Sequence, residues 1–264
     1  MSALSRKIDF TVIFTVQNAN PNGDPLNGNR PRETSDGYGE VSDVCIKRKL
    51  RNRLQDMGER IFVQSDDRSD DGFDSLRARA EGQPELKELK GDRAEYQALA
   101  CRLWYDVRAF GQLFAFSGGS AGDGVSVGVR GPVSIHPAIS ASPVEIESIQ
   151  ITKSVNSESG TKRSSDTMGT KHRIGFGVYR FNGSINCQLA EKTGFTDEDA
   201  QKLKQALITL FENDASSARP EGSMEVRKVI WWEHSCKSGD YPSAKVHRSV
   251  RLTAKKDSPS SYED

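Results

Sequence analysis

Cysteine is scarce in this chain. Cys45, Cys101, Cys187 and Cys236 stand far apart and form no C-x-x-C pair, so neither a structural zinc site nor a disulfide framework is specified. His136, His172, His234 and His247 lack metal-ligand spacing, and no metal or cofactor is expected. No Ser-His-Asp or Cys-His set is indicated by spacing, so no catalytic residue is nominated. The glycine-rich stretch at 117–131 lacks the G-K-[ST] ending of a P-loop, which argues against nucleotide hydrolysis. No apolar run approaches the length of a membrane span. The start, MSALSRKIDF, has no signal-peptide apolar core, and a reducing cytoplasm is the expected location. Excess charge of one sign is missing too: 37 Lys and Arg balance 37 Asp and Glu.

The charge that is present is segregated. Lys47, Arg48, Lys49, Arg51 and Arg53 crowd one segment without an acid, and residues 151–182 are also predominantly basic. Between Glu59 and Glu95 acids outnumber bases. Local asymmetry of this kind steers charged partners more than the total does.

Alternation of Ile8, Phe10, Val12, Phe14 and Val16 predicts a half-buried strand over Lys7–Val16. The stretch NANPNGDPLNGNRPR follows, and Gln17 to Ser42 reads as one long loop of turn residues. Ile46, Leu50, Leu54 and Met57 recur at helical spacing behind Ser42-Asp43, with Asp43 the economical N-cap. That helix has an apolar side and a cationic remainder. Residues 58–120 read as a mostly helical insertion. Val125, Val127 and Val129 predict a strand ending at Arg130, and further strands are expected at Glu145–Val155 and around Ile174, Phe176 and Val178. Thr196 to Asp214 reads as a helix with a Thr196/Asp199 capping box, and Met224 to His234 as a strand. Lys245 to Thr253 is expected as an edge strand, and residues 255–264 as a disordered tail.

Stripped of insertions, the order is strand, helix, strand, strand, helix, strand. The expected fold is α+β, with an RRM/ferredoxin-like (split βαβ) palm whose antiparallel sheet keeps one face free. IGFGVYRF, Ile174 to Phe181, partly matches the RRM octamer but lacks its leading base. The expected organisation is 1–57 for the first half of the palm and 58–120 for the insertion. The rest of the palm spans 121–254, with a flexible basic excursion from Asn156 to Thr170, and 255–264 is the tail.

NPNGDP, SDVCIKRKLRN, DVRAFGQLF, SVGVRGPVSIHPA, KHRIGFGVYRF and FENDASSARPEGSMEVRKV occur in this order and cover most of the chain. Together they resemble the crRNA-binding backbone subunit of a type I CRISPR Cascade complex, specifically the type I-C branch of the RAMP superfamily. The resemblance implies a hand-like protein with a palm, a helical finger insertion and a thumb β-hairpin at about 154–172. It implies a non-catalytic antiviral scaffold that polymerises head to tail along the crRNA spacer and displays bases to the target DNA strand for R-loop formation. Base pairing then supplies sequence specificity. The implied partners are crRNA, target DNA through the crRNA, further copies of the chain, a large subunit, a repeat-end-binding subunit, a small subunit and a recruited helicase-nuclease. No membrane partner is expected.

By position, Lys47, Arg48 and Arg51 would hold the RNA backbone. Lys162, Arg163, Met168, Lys171 and His172 would act from the thumb, with Arg130 and Arg219 as lesser contacts. Asn20, Asn22, Arg30 and Arg32 in the opening loop join the set. Two alternatives stand beside this reading. One is an endoribonuclease of the same superfamily, for which Asp24 and Asp36 are outlying candidates. The other is a ferredoxin-like protein-interaction module without RNA.

Overall fold

The computed structural model describes residues 2–89, 92–116, 125–152 and 168–264. Strand β1 (Ile8–Ala19) runs through the middle of the main sheet. The expected long loop is ordered in short pieces. These are β2 (Gly23–Asp24), a 3-10 turn at Pro25–Asn27, β3 (Arg30–Pro31) and β4 (Tyr38–Val41). Asp24 caps the turn by accepting from the Leu26 N–H at 3.2 Å, and Gly28 closes it at φ 58°, a left-handed conformation that glycine adopts without strain. β2 and β3 therefore pair as a miniature hairpin, and β4 joins the main sheet beside β8. Two-residue strands leave no alternation to read, which is why this loop looked structureless.

Helix α1 (Asp43–Asp56) is capped by Ser42, whose Oγ accepts from the Cys45 N–H at 3.3 Å. Asp43 is not the cap. It sits in the first turn, where an acid suits the helix dipole, and pairs with Lys47 at 3.0 Å. Helices α2 (Leu76–Glu81), α3 (Pro84–Glu88), α4 (Arg93–Leu103) and α5 (Tyr105–Phe110) follow. β5 (Gly111–Phe116) then pairs antiparallel with β6 (Val125–Arg130). This segment has its own apolar cluster around Phe62, Tyr96, Trp104, Phe114, Val127 and Val129. Phe62 packs in tilted contact against Trp104 and Phe114 at centroid distances of 4.6 and 5.0 Å. The cluster continues past residue 120 to Val129. Where the segment leaves and rejoins the main body the backbones touch: a Cβ on Gly131 would lie 2.4 Å from the Ala109 carbonyl oxygen.

The chain continues with β7 (Val133–Ile135), β8 (Ala138–Pro143), β9 (Ile146–Thr152) and β10 (Met168–Ile185). Then come α6 (Cys187–Thr193), α7 (Asp197–Ile208), β11 (Met224–Glu233) and α8 (Ser243–Ser249). Thr196 and Asp199 form the expected capping box at α7. The main sheet has the order β11-β1-β10-β8-β4, and β7 and β9 also pair with β10. The pairings are antiparallel. The protein is thus an α+β molecule built on a mainly antiparallel sheet.

One face of β1 (Ile8, Phe10, Val12, Phe14, Val16) shares a core with Leu50 and Leu54 of α1 and Leu203 and Leu207 of α7. The other face is not free. Asp9, Thr11 and Ile13 are buried as well, and α8 lies against β1. His234 Nε2 stands 2.8 Å from Asp9, and His247 Nε2 stands 3.0 Å from the Gly183 carbonyl oxygen. The expected edge strand at Lys245–Thr253 is therefore mostly replaced by a helix that caps this face. Pro242 presets φ at −60° just before it, and the short helix directs Val246 and His247 inward. The tail expected to be disordered carries contacts, with Arg227 over the Tyr262 ring at 4.7 Å.

Candidate nucleic-acid interface

β9 and the first part of β10 form a hairpin, paired from Ile146↔Ile174 to Thr152↔Met168. Lys162 and Arg163 lie outside the described residues. Side chains alternate across the hairpin, so Met168 and His172 take one face with Ser148 and Gln150, while Lys171 takes the other with Ile149 and Ile151. Met168, Ile149 and Ile151 are exposed.

Both faces are tied to other segments. On one, Arg30 Nη1 donates to Ser148 Oγ at 3.0 Å, and Ser148 Oγ lies 2.9 Å from His172 Nδ1. On the other, Lys171 Nζ donates to the Ser217 carbonyl oxygen at 2.7 Å. Arg173 at the hairpin base pairs with Glu147 at 2.8 Å. The hairpin base, the β2–β3 turn and the loop after α7 thus meet at one end of the sheet.

The opening-loop asparagines serve the turn itself. Asn20 is buried, donates from Nδ2 to the Asn29 carbonyl oxygen at 2.7 Å, and through its backbone N–H meets the Ala218 carbonyl oxygen at 2.9 Å. Asn22 Oδ1 accepts from the Ser42 N–H and hydroxyl at 3.0 and 2.9 Å, locking the loop to the start of α1. Arg32 pairs with Asp24 at 3.3 Å and remains substantially exposed. Asp214 accepts from both the buried Lys49 and from Arg219, the latter at 3.1 Å. Burial pushes the Lys49 ammonium below its usual pKa, against the opposing pull of Asp214.

The cationic side of α1 is largely engaged within the protein. Lys47 pairs with Asp43, Arg48 Nη1 donates to the Val63 carbonyl oxygen at 2.6 Å, and Arg51 Nε meets Asp106 at 2.9 Å. Asp106 is fully buried and also accepts from the Phe62 and Val63 N–H groups at 2.7 and 3.1 Å. These residues pin the separate apolar cluster to the main core. Arg130 is exposed at the end of β6, next to the β7 segment that pairs with Ile185. The stretch of β10 from Lys171 to Ile185 is on the order of 45 Å long, so Arg130 is not brought to the hairpin end.

Within IGFGVYRF, Tyr179 and Phe181 face the core, Tyr179 stacking on Phe14 at 5.3 Å. They are therefore not available to stack a base. Among the described residues no group of three His, Cys, Asp or Glu could hold a metal. Sequence reasoning missed Ser148, Ser217 and Asp214. Their partners lie far away in the chain, and no local pattern announces such pairs.

The model of the CRISPR-associated protein Cas7 family matches residues 6–264. A CRISPR-associated protein Cas7 of Haloferax volcanii is 28% identical over 257 residues, covering 91% of this chain and 73% of the relative. A chain from a solved CRISPR RNA-guided surveillance complex, in a form described as pre-nicking, superposes with a TM-score of 0.50 at 16% identity. That match covers 81% of this chain and 76% of the other, and supports a shared fold. By the match across nearly its whole length, the chain belongs to the Cas7 family.

Proposed function

We propose that the chain is a crRNA-binding scaffold subunit of a CRISPR RNA-guided surveillance complex, without catalysis of its own. Copies assemble head to tail along the RNA and leave bases presented to a target DNA strand. Partner subunits cap the assembly and recruit the helicase-nuclease. The observation that carries this reading, given membership of the family, is the convergence at one sheet end. Three segments distant in sequence bring Arg30, Lys171, His172 and Arg219 to one region, next to the exposed Met168. Cations from several segments are what a backbone-tracking surface needs, because each neutralised phosphate releases condensed counterions.

The palm corresponds to the sheet with α1 and α7, and its order β11-β1-β10-β8 agrees with a split βαβ arrangement. The finger corresponds to the segment around Phe62 and Trp104, and the thumb to the β9–β10 hairpin. Lys47, Arg48, Arg51, Arg32 and Arg130 remain candidates for RNA or for the neighbouring copy. Asn20 and Asn22 support this surface by holding the opening loop.

The test is RNA binding as a function of salt. Replacing Lys171 and Arg219 with Ala is expected to weaken binding and to flatten the slope of log affinity against log salt by about 0.7 per lost single-strand phosphate contact. An unchanged slope contradicts the surface. Metal-dependent cuts at regular intervals in bound RNA would replace the scaffold with a ribonuclease.

A further inference from the structure

The hairpin base contains a polar chain of three side chains. Arg30 Nη1 donates to Ser148 Oγ at 3.0 Å, and Ser148 Oγ lies 2.9 Å from His172 Nδ1. Ser148 and His172 are direct partners across β9 and β10, so their side chains share one face. A guanidinium only donates, so Ser148 must accept from Arg30. The serine hydroxyl keeps one proton to give and a second lone pair, and the shorter route to a fully used hydroxyl is for His172 Nδ1 to accept that proton. A neutral imidazole has one N–H. With Nδ1 accepting, that proton belongs on Nε2, since the bond at one ring nitrogen sets the state of the other.

We infer that Ser148 is a positioning residue for RNA. It fixes His172 in the Nε2–H tautomer and holds Arg30 beside it. The imidazole N–H and the remaining guanidinium N–H groups then face acceptor oxygens of the RNA backbone from a set geometry. The neighbouring charges leave this arrangement intact: Arg173 is neutralised by Glu147, and Lys171 points to the opposite face toward Ser217. Donors ordered before binding lose less freedom on binding than free side chains do. The identity of the bound partner rests on the RNA-scaffold reading; the tautomer does not.

Two readouts separate the two. The first is the nitrogen-15 spectrum of the histidine side chains in the RNA-free protein, with His172 identified by its loss in His172→Gln. Wild type and Ser148→Thr are expected to show an unprotonated Nδ1 and a protonated Nε2. Ser148→Ala is expected to show the two tautomers averaged. The second is binding of a single-stranded RNA, expected to be about fivefold weaker in Ser148→Ala, the size of one lost hydrogen bond. Ser148→Thr should stay within about twofold of wild type. A protonated Nδ1 in wild type, or His172 shifts unmoved in Ser148→Ala, overturns the relay. A moved tautomer with unchanged RNA affinity overturns the positioning role. Failure of wild type to bind RNA overturns the scaffold reading while leaving the relay standing.

Discussion

Removing the Asp106 carboxylate is expected to cost about 3–5 kcal/mol of stability, the usual consequence of stripping a buried charge of its partner. The magnitude follows from what the carboxylate does. It is 1% exposed and accepts from Arg51 Nε at 2.9 Å and from the Phe62 and Val63 N–H groups at 2.7 and 3.1 Å. Asp106→Ala leaves the Phe62 and Val63 donors without an acceptor, each worth about 1–3 kcal/mol, beside a guanidinium whose side chain is only 13% exposed. Arg51→Ala is milder, about 1.5–3 kcal/mol, because the two backbone donors still satisfy Asp106. The double variant should then cost less than the sum, with a coupling of about 0.5–3 kcal/mol. Urea unfolding of the four proteins measures all three quantities. An Asp106→Ala variant within about 0.5 kcal/mol of wild type would refute the claim that this carboxylate pins the insertion to α1.

Three further outcomes follow from single sites. Tyr179→Phe should be neutral or stabilising by about 1 kcal/mol in urea unfolding, because its buried hydroxyl has no hydrogen-bond partner among the described residues; a loss of more than about 1 kcal/mol would show a missed bond. Gly131→Ala should cost about 3 kcal/mol by the same assay, since the new Cβ meets backbone atoms of Ala109 and Phe110 at 2.4 Å; wild-type stability would mean the neck is loose. Burial lowers the His247 pKa below its usual 6.5, with His136 and Lys7 adding to the shift and Gly183 and Asp9 opposing it, and His234 also touches Asp9. A depressed folded pKa means the docked α8 is favoured above about 6.5 and loses that contribution as pH falls through the lower folded value. The melting temperature should therefore fall below pH 6.5 in wild type and less steeply in His247→Gln, and parallel curves would contradict the assignment.

The elements legible from the sequence were those with an unbroken period. β1, β10 and β11 alternate, α1 repeats its leucines, and Thr196-Asp199 announces α7. What was not legible depends on distance or brevity. β2 and β3 have two residues each, too few to show a pattern. In the sequence α8 passes for a strand, since Val246 and Val250 fit either period, and only its packing over β1 decides. The cations of α1 read as a surface because their partners Asp106 and Asp214 lie in remote segments. Lys171 and His172 enter through the family resemblance, and the structure sets both on the β9–β10 hairpin. The relay through Ser148 was not, since it exists only once β3, β9 and β10 are assembled.

The central claim is that this chain polymerises on RNA. Electron microscopy of the protein assembled with a spacer-length RNA tests it most directly. The account predicts a regularly repeating filament that contains the RNA and whose length follows the RNA length. Nucleic-acid-free monomers at low salt would contradict it.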